Sequence, residues 1–153
     1  MKFSLQSVLD VRHSRLEAIE LEMAQAQAMR AQHAAALAAL DDQHTRLLDD
    51  LRRLQTRRTL DLGALTFTRS TLARTENEIR AQRLRLAEAE ARVTTVREAL
   101  VIAKQDEETL KTLKDKAIEA ETREENRKAE VEVDDLNISR AFRKSKARGA
   151  ESA

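Results

Sequence analysis

The sequence predicts an all-α fold, namely a long antiparallel two-helix coiled-coil hairpin with a C-terminal helix overhang. Three observations support this prediction: a composition rich in helix formers, a sustained heptad row of apolar residues, and one break in that row near Gly63. The chain has 36% charged residues, no Pro, Trp or Tyr, and only two Gly. Such a bias is typical of long helices and coiled coils rather than of globular cores. We therefore expect residues 1–153 to form a single coiled-coil hairpin.

The first helix is predicted over residues 3–60. Stepping alternately by four and three residues from Leu5 gives positions that are mostly apolar, which indicates a coiled-coil seam. The polar members of the row are expected to fix the register of the pair. The positions are Leu5, Leu9, Arg12, Leu16, Ile19, Met23, Ala26, Arg30, His33, Leu37, Leu40, His44, Leu47, Leu51, Leu54 and Arg58.

A turn is predicted over residues 61–68, where Gly63 lies among several Thr and Ser residues of low helix propensity. Gly commonly ends a helix in the left-handed conformation, and Ser or Thr commonly caps the next one. A second helix should then cover residues 69–143, followed by a basic tail at 144–153.

The seam of the second helix begins at Leu65 in the sequence pattern. We expect its spacing to shorten to a three-residue step after Leu110, which would place Leu113 in the seam and locally overwind the supercoil. The predicted seam is Leu65, Leu72, Ile79, Leu86, Ala89, Val93, Val96, Leu100, Ala103 and Leu110, with polar Thr68, Thr75, Gln82 and Glu107 between them.

An overhang follows from the unequal lengths of the two helices. A turn centred near Gly63 places residue i of the first helix opposite roughly residue 127 minus i, so residues from about 126 to 144 extend past the first helix by some 25 to 30 Å. Val131, Ile138 and Phe142 then form an apolar row with no intramolecular cover. The row either docks into another protein or belongs to a frayed, solvated end, and the residues alone leave both interpretations open.

No catalytic motif is evident, so we expect no enzymatic activity, no cofactor and no metal. The chain lacks cysteine, and His33 and His44 would lie about 16 Å apart along a helix, too far to share a metal ion. Neither a signal peptide nor a membrane span is predicted, which favours a cytoplasmic location without membrane insertion. We expect no nucleic acid partner, because the basic tail follows an acidic stretch.

The two ends of the sequence resemble the FliJ family of flagellar type III export proteins. The segment "FSLQSVLDVRHSRLEAIELEMAQAQ", starting at Phe3, resembles the opening of the family, with an aromatic residue, a Leu- and Val-containing run, an Arg and then Glu17. Near the other end, Leu110 to Leu113 correspond to a Leu-Glu-x-Leu pattern. Residues 130–135 correspond to a Glu-Gln-x-x-Leu-Asp-Glu pattern, from which Val131 and Asp135 depart.

The resemblance implies a non-enzymatic stalk and regulator that couples the hexameric export ATPase to the export gate and to substrate delivery. Such a protein would act in bacterial flagellum biogenesis and protein transport, in the cytoplasm at the periphery of the inner-membrane export apparatus. The ATPase end would comprise Phe3, Val131, Asp134, Ile138, Arg140, Phe142, Arg143 and Lys144. The turn end would present Leu65, Phe67 and Leu72 to the gate membrane protein or to substrate chaperones.

Two alternatives accompany this interpretation. The chain could be a homodimeric structural scaffold that buries the overhang against its symmetry mate. It could also be the equivalent stalk of a virulence-type III secretion system, which these residues do not separate from the flagellar one.

Overall fold

Two α-helices make up the chain in the computed structural model, which describes residues 4–152. Helix α1 spans Gln6–Thr56 and helix α2 spans Leu62–Glu151. No strand occurs in this described range, which confirms the all-α hairpin. Contacts divide the chain into two units, one of residues 12–105 and one of residues 1–11 with 106–153.

The connection between the helices is shorter than predicted and lies earlier in the sequence, at residues 57–61. Asp61 starts α2, because its carboxylate accepts a hydrogen bond from the Ala64 amide at 3.0 Å and so caps the helix N-terminus. Gly63 therefore lies within the first turn of α2, without the left-handed conformation expected of it.

The threonines near the turn do not interrupt α2, although they suggested a break. The Thr66 hydroxyl donates to the Leu62 carbonyl at 2.8 Å, and the Thr71 hydroxyl donates to the Phe67 carbonyl at 2.9 Å. Each hydroxyl is thus satisfied within its own helix, which lowers the cost of a poor helix former. The basic tail also differs from the prediction, because residues 144–151 continue α2.

In the unit of residues 12–105, α1 and α2 pack along the predicted seams. Leu16, Ile19, Val96 and Ala103 form a buried cluster, against which Met23 and Leu100 pack. Towards the turn, the core becomes more polar, because Thr68 and Thr75 are buried on α2. The heptad pattern therefore identified the buried face of both helices in this unit.

Polar contacts between the helices fix the register in this unit. The Gln82 amide lies 2.9 Å from His33 Nδ1 and donates to the His33 carbonyl at 3.1 Å. His44 Nε2 lies 3.3 Å from a Glu76 carboxylate oxygen. The predicted pairing would have placed His33 opposite residue 94, so the register is displaced towards the turn. The displacement follows from the earlier turn, because a turn centred on lower residue numbers pairs each α1 residue with a lower-numbered residue of α2.

In the unit of residues 1–11 and 106–153, burial is confined to a few positions. Leu9 and Glu107 are buried, and Glu107 forms an ion pair with Lys111 at 3.0 Å. The half-buried positions that follow on α2 are Leu110, Lys114, Ala117 and Glu121. Their regular spacing shows that the predicted three-residue step after Leu110 is wrong, since Leu113 is exposed and Lys114 takes the seam position.

Candidate partner-binding surfaces

Residues 122–152, which are the last part of α2 and the residue after it and which we name the C-terminal segment, have no buried or half-buried position. At 1.5 Å per residue the segment is roughly 45 Å long, longer than the overhang expected from the sequence. The difference follows partly from the earlier turn and partly from the helical continuation of residues 144–151. This unpartnered length of helix is the first candidate surface.

Local interactions explain why the C-terminal segment is helical without a partner helix. Arg127 Nε and Nη2 donate to the two carboxylate oxygens of Glu124 at 3.2 and 3.0 Å, and Arg123 pairs with Glu119 at 3.3 Å. Pairs three or four residues apart stabilise an exposed helix by a few tenths of a kcal/mol each, about 0.2 to 0.5. The segment also continues a packed helix, so the unfavourable nucleation step is already complete.

The predicted apolar row is present and exposed. Val131, Ile138 and Phe142 have exposed fractions of 53%, 66% and 69%. At 100° per residue they lie within roughly 40° of one another around the helix. A row of this kind is what a partner helix or a groove would cover.

A second apolar face, which the sequence reasoning missed, lies on the other side of the same helix. Val133 and Leu136 are also more than half exposed and lie roughly 150° around the helix from the first row. Their spacing of three residues was the available signal. The C-terminal segment therefore presents apolar side chains in two nearly opposite directions.

The charged residues predicted at this end are all exposed but do not share one face. Asp134 flanks the row of Val131, whereas Arg140, Arg143 and Lys144 point to the other side of the helix. The segment changes from acidic at residues 130–135 to basic at residues 140–148. Phe3, the remaining residue predicted here, lies outside the described residues.

The turn end supplies the second candidate surface, although its predicted residues differ in solvent exposure. Phe67 is 73% exposed, whereas Leu65 is buried and Leu72 is half-buried in the seam. Leu60 and Leu62, which the sequence reasoning did not single out, are exposed beside the turn. The accessible apolar set is therefore Leu60, Leu62 and Phe67, which we name the turn-end set.

A shallow groove of about 450 Å³ lies between the helices in the unit of residues 12–105. It forms where Ala26 and Ala89 leave room at the seam, next to the half-exposed Met29. Glu22 and Arg92 bridge one side of the groove with an ion pair of 3.4 Å. The groove has an apolar floor bordered by side chains of both charges, and this combination favours no particular ligand class.

Neither candidate surface resembles an active site. Within residues 4–152, no group of three or more His, Cys, Asp or Glu side chains is arranged to hold a metal ion. In the same range, no helix is long and apolar enough to span a bilayer. Both surfaces consist of exposed apolar side chains on helices or, for Leu60, in the connection between them, and such side chains are common in protein recognition.

Comparison with known protein families identifies a relationship. A family model described as "Flagellar FliJ protein" matches residues 1–146, which include all of α1 and most of α2. No curated protein and no solved structure matches the chain significantly.

Proposed function

Because the chain belongs to the FliJ family of flagellar proteins, we propose that it is a stalk and regulator of the flagellar type III export ATPase. Family membership implies a part in flagellar export, and we propose that the chain takes that part without enzymatic activity. The finer proposal is that the C-terminal segment enters the hexameric ATPase ring. The turn-end set then remains free for the export gate or for substrate chaperones, with the protein held in the cytoplasm beside the export apparatus.

The observation that supports this role is the distribution of apolar side chains around the C-terminal segment. A helix that docks on a single groove needs only one apolar face. The segment carries one face with Val131, Ile138 and Phe142 and a nearly opposite face with Val133 and Leu136, all more than half exposed. A ring surrounds a helix and contacts it from all directions, so it can cover both faces at once.

The binding energy available to the segment is sufficient for a specific complex. Fully burying a large apolar side chain contributes about 1.5 to 3 kcal/mol, and five such side chains are more than half exposed in the segment. Part of this gain offsets the loss of translational and side-chain freedom. Because the segment is already helical, little further free energy is spent in ordering its backbone.

The first test compares the full chain with a chain that ends after Glu130, in an assay of phosphate release by the purified export ATPase. The proposal predicts that the full chain stimulates hydrolysis and that the shortened chain does not. Circular dichroism should show that the shortened chain retains its helical hairpin. Undiminished stimulation by the shortened chain would overturn the proposal.

A second test uses side chains matched in type and exposure. The triple variant V131A/I138A/F142A should lower stimulation about tenfold or more, because it removes one of the two apolar faces. The control variant V101A/I102A/L84A removes three exposed apolar side chains from the outer side of α2 and should stimulate like the unmodified chain. Equal loss in both variants would show that general surface hydrophobicity, rather than the C-terminal segment, carries the effect.

The turn-end set is tested separately by binding to the cytoplasmic part of the gate. The variant L60A/L62A/F67A should weaken gate binding and leave ATPase stimulation intact. A variant that loses both activities would contradict the assignment of the two surfaces to two partners.

A further inference from the structure

The charge pattern of the C-terminal segment suggests a second use for its apolar row. The acidic residues lie at 130–135 and the basic residues at 140–148, with Ile138 and Phe142 at the change of sign. All of these side chains are exposed. A helix with one acidic half and one basic half is complementary to its own reversed copy.

We propose that the C-terminal segments of two copies pair antiparallel along the row of Val131, Ile138 and Phe142, forming a reversible homodimer that covers this row before the partner ring does. The occupant of the row is thus a second copy of this chain. The pairing is isologous, because each copy contributes the same patch to a two-fold symmetric contact.

Heptad geometry defines the register. Val131, Asp135, Ile138, Phe142 and Ser145 follow the alternating steps of a coiled-coil seam, so the seam contains one acidic residue beside its apolar ones. With the two-fold axis at residue 140, Phe142 of one copy packs against Ile138 of the second copy, and symmetry repeats the contact. The aromatic and the branched side chain thereby form the centre of the interface.

Flanking charges match in the same register. Glu132 of one copy faces Lys146 of the second copy, and Asp134 faces Arg148. Each pair occurs twice by symmetry, at the positions beside the seam that determine orientation in coiled coils. A parallel pair would instead place the acidic halves together and the basic halves together, and such like-charge contacts oppose association.

The interface is small, so the dimer should be weak. The paired length from Val131 to Gly149 is about 27 Å, and contacts of this size are typical of transient complexes. A self-dissociation constant in the micromolar range or above is therefore expected. It corresponds to a free energy of association of about 8 kcal/mol or less in magnitude. Weak pairing allows the ATPase ring to displace the second copy.

Sedimentation of the full chain provides the first measurement. The apparent mass should rise from one chain to two with concentration, and 0.5 M NaCl should weaken the pairing because the flanking ion pairs are exposed. A mass of one chain throughout, at concentrations up to several hundred micromolar, would overturn the proposal.

Charge reversal tests the complementarity. The variants E132K/D134K and K146E/R148E should each dimerise at least tenfold more weakly than the unmodified chain, because each carries a single sign at the four flanking positions 132, 134, 146 and 148. An equimolar mixture should recover dimerisation as a mixed pair. Unaltered self-association of either variant, or failure of the mixture to pair, would refute the charge-matched contact. Circular dichroism of each variant establishes that the helices are retained.

Disulfide trapping tests the antiparallel orientation, and the chain offers a clean background because it contains no cysteine. Under mild oxidation, E132C mixed with K146C should form covalent dimers in at least tenfold higher yield than either variant alone. S139C, which lies beside the axis, should cross-link to itself. Equal yields from E132C alone and from the mixture would refute the antiparallel pairing and indicate a parallel or random contact.

The outcome is separable from that of the proposed function. The association measurements contain no ATPase. The stimulation assay uses the chain at nanomolar concentration, where the dimer is dissociated. A failure of self-pairing therefore leaves the stalk role standing, and a failure of stimulation leaves the dimer standing.

Discussion

Substituting Val96 tests whether the packed seam holds the two helices together. Val96 is 3% exposed and belongs to the buried cluster with Leu16, Ile19 and Ala103. Val96→Ala removes two buried methyl groups, each of which contributes about 0.8 kcal/mol to the free energy of unfolding. The cavity left behind adds roughly 1 kcal/mol to the loss of stability if the helices do not close over it.

Helix propensity acts in the opposite direction, since Ala is a better helix former than Val by about 0.5 kcal/mol. The net loss expected for Val96→Ala is therefore about 1 to 2 kcal/mol, the larger value applying if the space stays open. Val101 is the matched control, because it is the same residue type on the same helix but is 50% exposed. In Val101→Ala the halved burial loss and the propensity gain nearly cancel, so a change below about 0.5 kcal/mol is expected.

Urea unfolding followed by circular dichroism at 222 nm measures both changes. With a slope of about 2 kcal/mol per molar urea, Val96→Ala should lower the midpoint by roughly 0.5 to 1 M, whereas Val101→Ala should leave it within about 0.3 M. Slopes must agree among the variants for the comparison to hold. Equal midpoint shifts for the two substitutions would refute the assignment of the buried face.

Three further predictions concern the helix start, the polar seam and the exposed ion pairs. Asp61→Ala should lower the thermal midpoint through a loss of about 1 kcal/mol, because the Ala64 amide loses its cap, while Asp61→Ser should keep most of it; equal effects would contradict the capping role. Gln82→Ala should cost about 1 to 3 kcal/mol in urea unfolding, since it removes a buried hydrogen bond to His33, and an unchanged midpoint would exclude that contact from the fold. Arg92→Ala should change stability by less than about 1 kcal/mol, as expected of an exposed ion pair, and a larger loss would show that the pair is shielded from solvent.

The buried faces could be predicted from the sequence because heptad spacing determines them directly. Leu16, Ile19, Val96 and Ala103 were all on the predicted seams and are all buried. Burial of polar Thr75 and Gln82 also followed from their spacing. Periodicity alone was sufficient for this part of the fold.

The turn and the register could not be predicted to the same accuracy. Composition suggested that Gly63 and its threonine neighbours would interrupt the helix, but the Asp61 cap and the hydroxyl-to-carbonyl bonds of Thr66 and Thr71 allow α2 to begin at Leu62. Those bonds depend on side-chain conformations that residue propensities do not encode. Because the turn is earlier, each α1 residue lies opposite a lower-numbered residue of α2 than predicted, and more of α2 extends past α1.

The candidate surfaces were predicted in part for a related reason. Val131, Ile138 and Phe142 were identified because they repeat with helical spacing and lie beyond the predicted end of the pair. Val133 and Leu136 were not predicted because the heptad pattern describes one face of the helix, and these two residues lie on another face. Leu65 was assigned to the free turn end because the turn was placed too late in the sequence.

Amide hydrogen exchange over residues 131–142, measured on the full chain alone and in complex with the hexameric export ATPase, tests the central claim most directly. At a concentration well below the self-dissociation constant of the proposed dimer, the isolated segment should exchange quickly, since no other element covers it, and the complex should slow its exchange by at least tenfold while residues 93–103 stay unchanged. Equal exchange of residues 131–142 in the free and bound chain would contradict the role of the C-terminal segment as the surface that the ring covers.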